Sequence, residues 1–167
     1  MKKLLGAAAL LAALAAFAVT AAAADTGGTD RPFTGTLVGF ATFVPDVSCP
    51  LGFRTVSEGS GTASHLGLVS DASSHCYTPP NVMAGGRTTL VAANGDELHM
   101  TYTGTCDPAN PPPPGGLVTC TSDDVIVDGT GRFANASGET HATVLVTSAP
   151  LGDPWALTVT WYGTLSY

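Results

Sequence analysis

The sequence predicts an all-β fold, an eight-stranded antiparallel up-and-down closed barrel that follows a signal peptide. Three observations lead to this prediction. After residue 24, apolar and polar residues alternate with a period of two, as in half-buried strands, and no stretch is typical of an amphipathic helix. Glycine and proline, 20 and 12 in number, interrupt this alternation at short intervals and so mark turns. Strands with one apolar face must close or pack as two sheets, and closure removes the exposed edges.

The first 24 residues have the order of a secretory signal peptide. The chain begins with Met1-Lys2-Lys3, continues with an apolar run and reaches small residues at Ala24. The apolar run is short for a membrane span, so an uncleaved anchor is the weaker alternative. We predict a signal peptide over 1–24, a flexible segment over 25–32 and a barrel domain over 33–167. The domain would be secreted or periplasmic in a bacterium.

The alternation is clearest in the fifth and eighth predicted strands. Leu98, Met100 and Tyr102 share one face of the fifth strand. Trp155 and Trp161 lie on the apolar face of the eighth. The eight predicted strands span 33–44, 51–58, 62–70, 86–93, 96–105, 118–128, 139–149 and 155–166.

Two glycine-containing turns indicate the strand register. Asn94-Gly95 predicts a two-residue type I′ hairpin, because both positions of that turn need positive φ. In that register Arg87 faces Tyr102, and both side chains point into the barrel. Gly59-Ser60-Gly61 predicts a second tight turn.

Four cysteines in an exported chain predict two disulfides. No pair has the C-x-x-C spacing of a zinc site or a redox motif. The connections predicted over 45–50, 71–85 and 106–117 are long and alternate with tight ones. The cysteines therefore fall at one end of the barrel, which favours Cys49–Cys76 and Cys106–Cys120 among the three pairings.

The composition excludes several partners. Both lysines lie in the predicted signal peptide, which leaves 6 − 2 = 4 arginines against 13 acidic residues. Such an acidic chain repels nucleic acid and lacks a patch for anionic lipid. The four histidines form neither His-x-His nor His-Glu-x-x-His, and no Gly-x-Ser-x-Gly elbow is present. We expect no nucleic-acid partner, no membrane insertion, no metal and no cofactor.

The segment between the sixth and seventh predicted strands predicts a glycine turn followed by one helical turn over 132–137. This turn would insert Phe133 and Ala136 into the closed end of the barrel. The segment reads Gly129-Thr130-Gly131-Arg132-Phe133-Ala134-Asn135-Ala136-Ser137-Gly138.

This segment resembles the G-T-G-x-F-x-x-A-x-G signature of the allene oxide cyclase and dirigent-like barrels, a calycin-like group. The runs Gly61–Gly67 and Ala92–Asp96 resemble those of its bacterial secreted members. The resemblance implies an eight-stranded barrel with an apolar cavity that binds or orients hydrophobic substrates, sometimes for cyclisation or coupling. The catalytic residues of those enzymes do not map onto this chain, so activity is not carried over. Barrels of this group often self-associate, which leaves a homo-oligomer open.

Candidate ligand-binding residues are those expected to face the interior. Arg87 at the mouth could meet a ligand carboxylate, with a salt bridge at the rim as the alternative. His65, placed in the middle of a strand, could cap a buried network. The full candidate set is Arg87, Tyr102, Met100, Trp155, Trp161 and His65.

Asp123-Asp124 precedes the apolar run Val125-Ile126-Val127. If Ile126 points inward, Asp124 does too, and burial would raise its pKa. The favoured alternative places these acids in solvent, since buried unpaired carboxylates are rare.

Four functions fit these features. The first is a barrel that binds a small apolar molecule, and the second is a cyclase or isomerase using Asp124 or His65. The third is an outer-membrane barrel, which the low aromatic content of 7% and the disulfides argue against. The fourth is a structural surface module that needs no cavity. Catalytic residues stay unassigned.

Overall fold

The computed structural model describes residues 28–108, 112–150 and 152–167, and the predicted signal peptide lies outside this part. Eight antiparallel strands pair in chain order, and β1 also pairs with β8, so the barrel is closed and the predicted fold class is confirmed. β1 begins two residues earlier than predicted. The strands are β1 Arg31–Pro45, β2 Phe53–Ala63, β3 Gly67–Thr78, β4 Val82–Ala92, β5 Glu97–Asp107, β6 Leu117–Gly129, β7 Gly138–Thr147 and β8 Trp155–Leu165.

The side chains alternate between the interior and the outer surface, as the sequence pattern requires. In β6 every second residue from Val118 to Ile126 is buried, and the residues between them are exposed. An eight-stranded barrel is just wide enough inside for side chains or one small ligand. The interior positions therefore decide whether the barrel is filled or hollow.

The turn predicted at Gly59-Ser60-Gly61 is wrong, because these residues lie within β2. The glycines instead allow β1 and β2 to approach closely. A Cβ atom added at Gly61 would lie 2.6 Å from the Cα atom of Leu37. The β2–β3 turn lies over 64–66 and includes His65 at φ 68°.

The β4–β5 hairpin has a three-residue loop rather than the predicted two-residue loop. The Ala92 N–H donates to the Asp96 carbonyl at 2.9 Å, and Gly95 alone in the loop has positive φ. The register therefore shifts by one residue, and Arg87 faces Thr101 while Gly86 faces Tyr102. A one-residue shift moves a side chain to the opposite face, so the predicted inward orientation of Arg87 is wrong.

The connections after β1, β3, β5 and β7 lie at one end, which we call the mouth. Both predicted disulfides, Cys49–Cys76 and Cys106–Cys120, are formed near this end. The long connection predicted over 71–85 is wrong, because β3 and β4 extend through most of it. Of the four cysteines, only Cys49 lies in a loop.

The opposite end of the barrel is filled with apolar side chains, and we call it the closed end. Phe133 follows β6 in a short 3₁₀ helix over Gly131–Phe133 and is 0% exposed, which confirms its predicted insertion. Ala136 is buried beside it. The two ends of the described chain also meet here, since Arg31 donates a hydrogen bond of 3.2 Å to the Tyr167 hydroxyl. No helix of the described residues is long and apolar enough to cross a membrane.

Candidate functional site

A cavity occupies the half of the barrel nearest the mouth. Its volume is about 100 Å³. A cavity needs roughly 10–15 Å³ to hold a single water, so this one exceeds that minimum several-fold. Half-buried Phe43, Tyr77 and Trp155 line it at the mouth. This end of the barrel is therefore hollow enough for a small ligand.

One wall of the cavity is apolar and comes from β1, β7 and β8. Trp155 contacts Phe43 edge to face, with 5.1 Å between ring centroids. Trp161 lies further inside and is buried. The remaining apolar lining of these three strands consists of Ala41, Ala142, Val144, Val146, Leu157 and Val159.

The wall that adjoins it beyond β1 is polar and comes mainly from β2 and β3. Within the described part of the chain, three buried side-chain atoms have no hydrogen-bond partner: Thr55 Oγ1, Asp71 Oδ1 and His75 Nε2. All three residues line this one cavity. A buried polar atom without a partner costs about 1–3 kcal/mol, so such atoms are rare in folded proteins. Their concentration on one cavity wall is typical of a binding site.

Asp71 is 7% exposed, and its one polar contact among the described residues is a 3.4 Å hydrogen bond from the Ser73 hydroxyl to Oδ2. Burial raises the pKa of Asp71 to about 7, because desolvation penalises the carboxylate and the single hydroxyl offsets little of this penalty. Near neutral pH this carboxyl group therefore exists in both protonation states.

His75 and Tyr102 share a hydrogen bond of 2.8 Å between Nδ1 and the phenolic oxygen. Burial, with a smaller effect of Arg54, lowers the pKa of His75 to about 4, so its ring is neutral at pH 7. Burial together with Asp71 and Asp124 raises the pKa of Tyr102. The Tyr102 ring lies over Gly86, where an added Cβ would be 2.6 Å from the tyrosine Cγ.

Asp124 is the second acid of the cavity, and hydroxyl groups satisfy it. Ser122 donates to Oδ1 at 2.8 Å, and Thr140 donates to Oδ2 at 3.2 Å. Burial raises the pKa of Asp124, and these hydrogen bonds oppose the rise. Ile126 points inward, so the alternative of an inward Asp124 is the one that the structure supports.

The structure brings together half of the predicted candidate set. Tyr102, Trp155 and Trp161 line the cavity. Met100 is buried in the apolar core of the other half of the barrel. Arg87 is on the outer surface, and His65 lies in the β2–β3 turn with its Nε2 3.0 Å from the Pro32 carbonyl, so neither lines the cavity.

The polar wall was not predicted from the sequence. The inward face of β3 after Val69 carries Asp71, Ser73, His75 and Tyr77, and this polar series resembles a loop. The period-two spacing of those four residues was the available signal.

Comparisons of the chain with protein-family models, with curated proteins and with solved structures found no match.

Proposed function

We propose that this chain is an exported barrel that binds one small molecule in the cavity near its mouth. The ligand has a largely apolar body and at least one hydrogen-bonding group. The observation that carries this proposal is the position of Thr55 Oγ1, Asp71 Oδ1 and His75 Nε2 on a single cavity wall. Largely apolar pockets with a few convergent polar groups are the usual form of small-molecule sites.

Two further features support the proposal. The two disulfides suit an oxidising compartment, in agreement with secretion or a periplasmic location. The closed eight-stranded barrel and the buried Phe133 also agree with what the resemblance to allene oxide cyclase and dirigent-like barrels implies. We propose membership of that group on this basis, and self-association stays a prediction.

Tryptophan fluorescence gives a direct test, because both tryptophans of the chain line the cavity. We expect a saturable 1:1 change on titration with 2-phenylethanol or cyclohexanol, two small neutral probes. Ala142→Phe should fill the cavity and remove this change. Thr143→Phe, at the exposed neighbouring position of β7, is the matched control and should keep it.

Two results would contradict the proposal. One is a fluorescence change that survives Ala142→Phe, which would place probe binding outside the cavity. The other is the absence of any saturable change, combined with native mass spectrometry that finds no co-purified molecule in protein prepared without detergent.

A cyclase or isomerase using the same cavity is a second candidate, and Asp71 is the observation that favours it. General bases work best with a pKa near the operating pH. With a pKa of about 7 and an unpartnered Oδ1 in the cavity, Asp71 could take a proton from a carbon next to a carbonyl group.

Exchange of hydrogen for deuterium tests this second candidate. Phenylacetone in D₂O should lose its α-protons faster with the wild-type protein than with Asp71→Asn, and the rate should rise as pH passes about 7. NMR spectroscopy follows the loss. Equal rates for the two proteins would exclude Asp71 as a base and leave the binding function standing.

A further inference from the structure

We propose that the cavity selects small organic cations, namely a protonated amine whose ammonium group pairs with Asp71 and whose apolar body lies against Trp155 and Trp161. This inference rests on the proposed binding function and specifies its ligand class. It depends on the charges, the unpartnered atoms and the aromatic rings that line the cavity.

The formal charges on the cavity wall are all acidic. Asp71 and Asp124 line it, whereas no lysine or arginine is among the described lining residues. Arg54, whose charge affects the cavity residue His75, donates to the Asp46 carboxylate at 2.8 Å and is thereby already paired. An anionic ligand would therefore meet two acids and no compensating cation, while a cationic ligand would meet carboxylates in a medium of low dielectric constant.

Both acids lie at the inner end of the cavity, directly above the apolar core. The next inward-facing residue of β3 toward the closed end is Val69, and that of β6 is Ile126, both of which belong to the core. Tyr102 lies near both carboxyl groups, because each of them affects its pKa. A ligand that enters through the mouth thus reaches the carboxyl groups with its leading end.

Asp71 and Asp124 differ in whether they need a partner. Both Asp124 oxygens accept hydrogen bonds from hydroxyl groups of the barrel. Asp71 Oδ1 accepts none, although the residue is 7% exposed. A carboxylate buried in this way must either take up a proton or meet a cation. An ammonium group supplies both the missing charge and the missing donor.

The aromatic rings complete the recognition of a cation. The aromatic residues Trp155, Trp161, Tyr102 and Phe43 line the same cavity. Indole and phenol rings attract cations, and this attraction is strongest where water is excluded. The net charge of −7 for the whole chain also favours the approach of cations over anions.

Three ligands with similar frameworks test the inference: 2-phenylethylamine, 2-phenylethanol and phenylacetate, titrated at pH 8 with tryptophan fluorescence as readout. We expect the amine to bind at least tenfold more tightly than the alcohol, and phenylacetate to bind most weakly. Asp71→Asn should bring the amine and the alcohol to similar affinity. Asp123→Asn removes the same charge from the exposed face of β6 and should preserve the preference for the amine.

The pH dependence of wild-type binding tests the same inference without a variant. Protons compete with the amine for Asp71, so amine affinity should fall roughly tenfold from pH 8 to pH 6, because the Asp71 pKa is about 7. The titratable groups that line the cavity together with Asp71 are His75 and Tyr77 on β3 itself, Tyr102 on β5 and Asp124 on β6. Tyrosine and histidine stay neutral in this range, since their pKa values are raised and lowered respectively. If amine affinity no longer changes between pH 8 and pH 6 in Asp71→Asn, the change in the wild type is due to Asp71 rather than to Asp124.

The outcomes separate this inference from the function on which it rests. If the alcohol binds as tightly as the amine, or if Asp71→Asn keeps the preference, the inference is wrong and the binding function stands. If Asp123→Asn abolishes the preference for the amine over the alcohol, the overall negative charge of the protein explains that preference. The proposed pairing of the ammonium group with Asp71 is then wrong. If none of the three ligands gives a saturable change and no co-purified molecule is found, both proposals fail.

Discussion

Asp71 and His75 lie on the same inward face of β3, and burial shifts their pKa values in opposite directions. Desolvation raises the pKa of Asp71 to about 7 and lowers that of His75 to about 4, because it penalises the charged form of each. Both side chains are therefore neutral over much of the range between these values. The polar wall avoids buried charge by proton uptake on one residue and proton release from the other.

Asp71 makes unfolding pH-dependent in a way that one substitution can isolate. Between pH 4 and 7 native Asp71 keeps a proton that the unfolded chain releases, so its contribution to the free energy of unfolding falls as pH rises. Asp71→Asn should be neutral near pH 4 and stabilising above pH 7, by at most about 4 kcal/mol.

Urea unfolding at pH 4.5, 6 and 7.5 measures this effect. His75 acts oppositely, because its contribution to stability rises between pH 4 and 6.5. In Asp71→Asn the opposing effect of Asp71 is absent, so the stability should rise visibly between pH 4 and 6.5. Parallel stability curves for wild type and variant across this range would show that Asp71 titrates normally.

Gly86 is needed because the Tyr102 ring lies against its backbone. Gly86→Ala should displace the ring, break its hydrogen bond to His75 and lower stability by about 1–3 kcal/mol. Gly85→Asn is the matched control, because position 85 has open space and asparagine tolerates its φ of 62°. Urea denaturation should separate the two variants; equal losses would mean that the ring moves without strain.

At the level of the strands, the inward faces were predicted correctly where the interior residues are apolar. The alternating apolar residues of β5 and β8 mark their inward faces directly. In β3 the inward positions of the second half are polar, because they form the cavity wall, and the strand was predicted to end at residue 70. The polar residues that line the cavity are therefore the same residues that made this half of β3 resemble a loop.

Irregularities in the sheet also limited the prediction of which side chains point into the barrel. An extra residue at Gly85 changes which residues of β4 face inward, so Met83 and Thr88 both line the cavity. The three-residue hairpin loop then places Arg87 outside. Neither a bulge nor a loop of this kind changes the period-two pattern enough to be recognised from one sequence.

The turn between β6 and β7 closes the end of the barrel opposite the cavity. Phe133 is 0% exposed and contacts Tyr167, with 4.9 Å between ring centroids. Phe133→Ala should lower the free energy of unfolding by about 3–5 kcal/mol, because it leaves a void in a packed core. Asn135→Ala, at an exposed position of the same turn, should change it little. If Phe133→Ala unfolds at nearly the same midpoint as the wild type, Phe133 does not plug the barrel.

Across the described part of the molecule, the interior divides into a packed apolar half and a hollow half, and the two disulfides lie near the mouth of the hollow half. Cys106 and Cys120 are opposed on adjacent strands and close a loop with a sequence separation of 14. In the chain-entropy model such a closure contributes about 3 kcal/mol.

Replacing both Cys106 and Cys120 by serine should lower stability by about that amount. It should also loosen the mouth, so that 2-phenylethanol dissociates faster while the closed end stays packed. Hydrogen exchange measured along the chain checks this, with faster exchange expected in β5 and β6 near the mouth. If hydrogen exchange becomes faster to the same extent in all strands, the disulfide stabilises the whole barrel as one unit.

The meeting of Gly28 and Tyr167 beside Phe133 has a practical consequence for orientation. Any tag, linker or surface attached to either end of the described chain is held on the plugged side, one barrel length away from Trp155. Immobilised or displayed in this manner, the protein would present its hollow side to the medium, and solutes could reach the tryptophans without passing the attachment point.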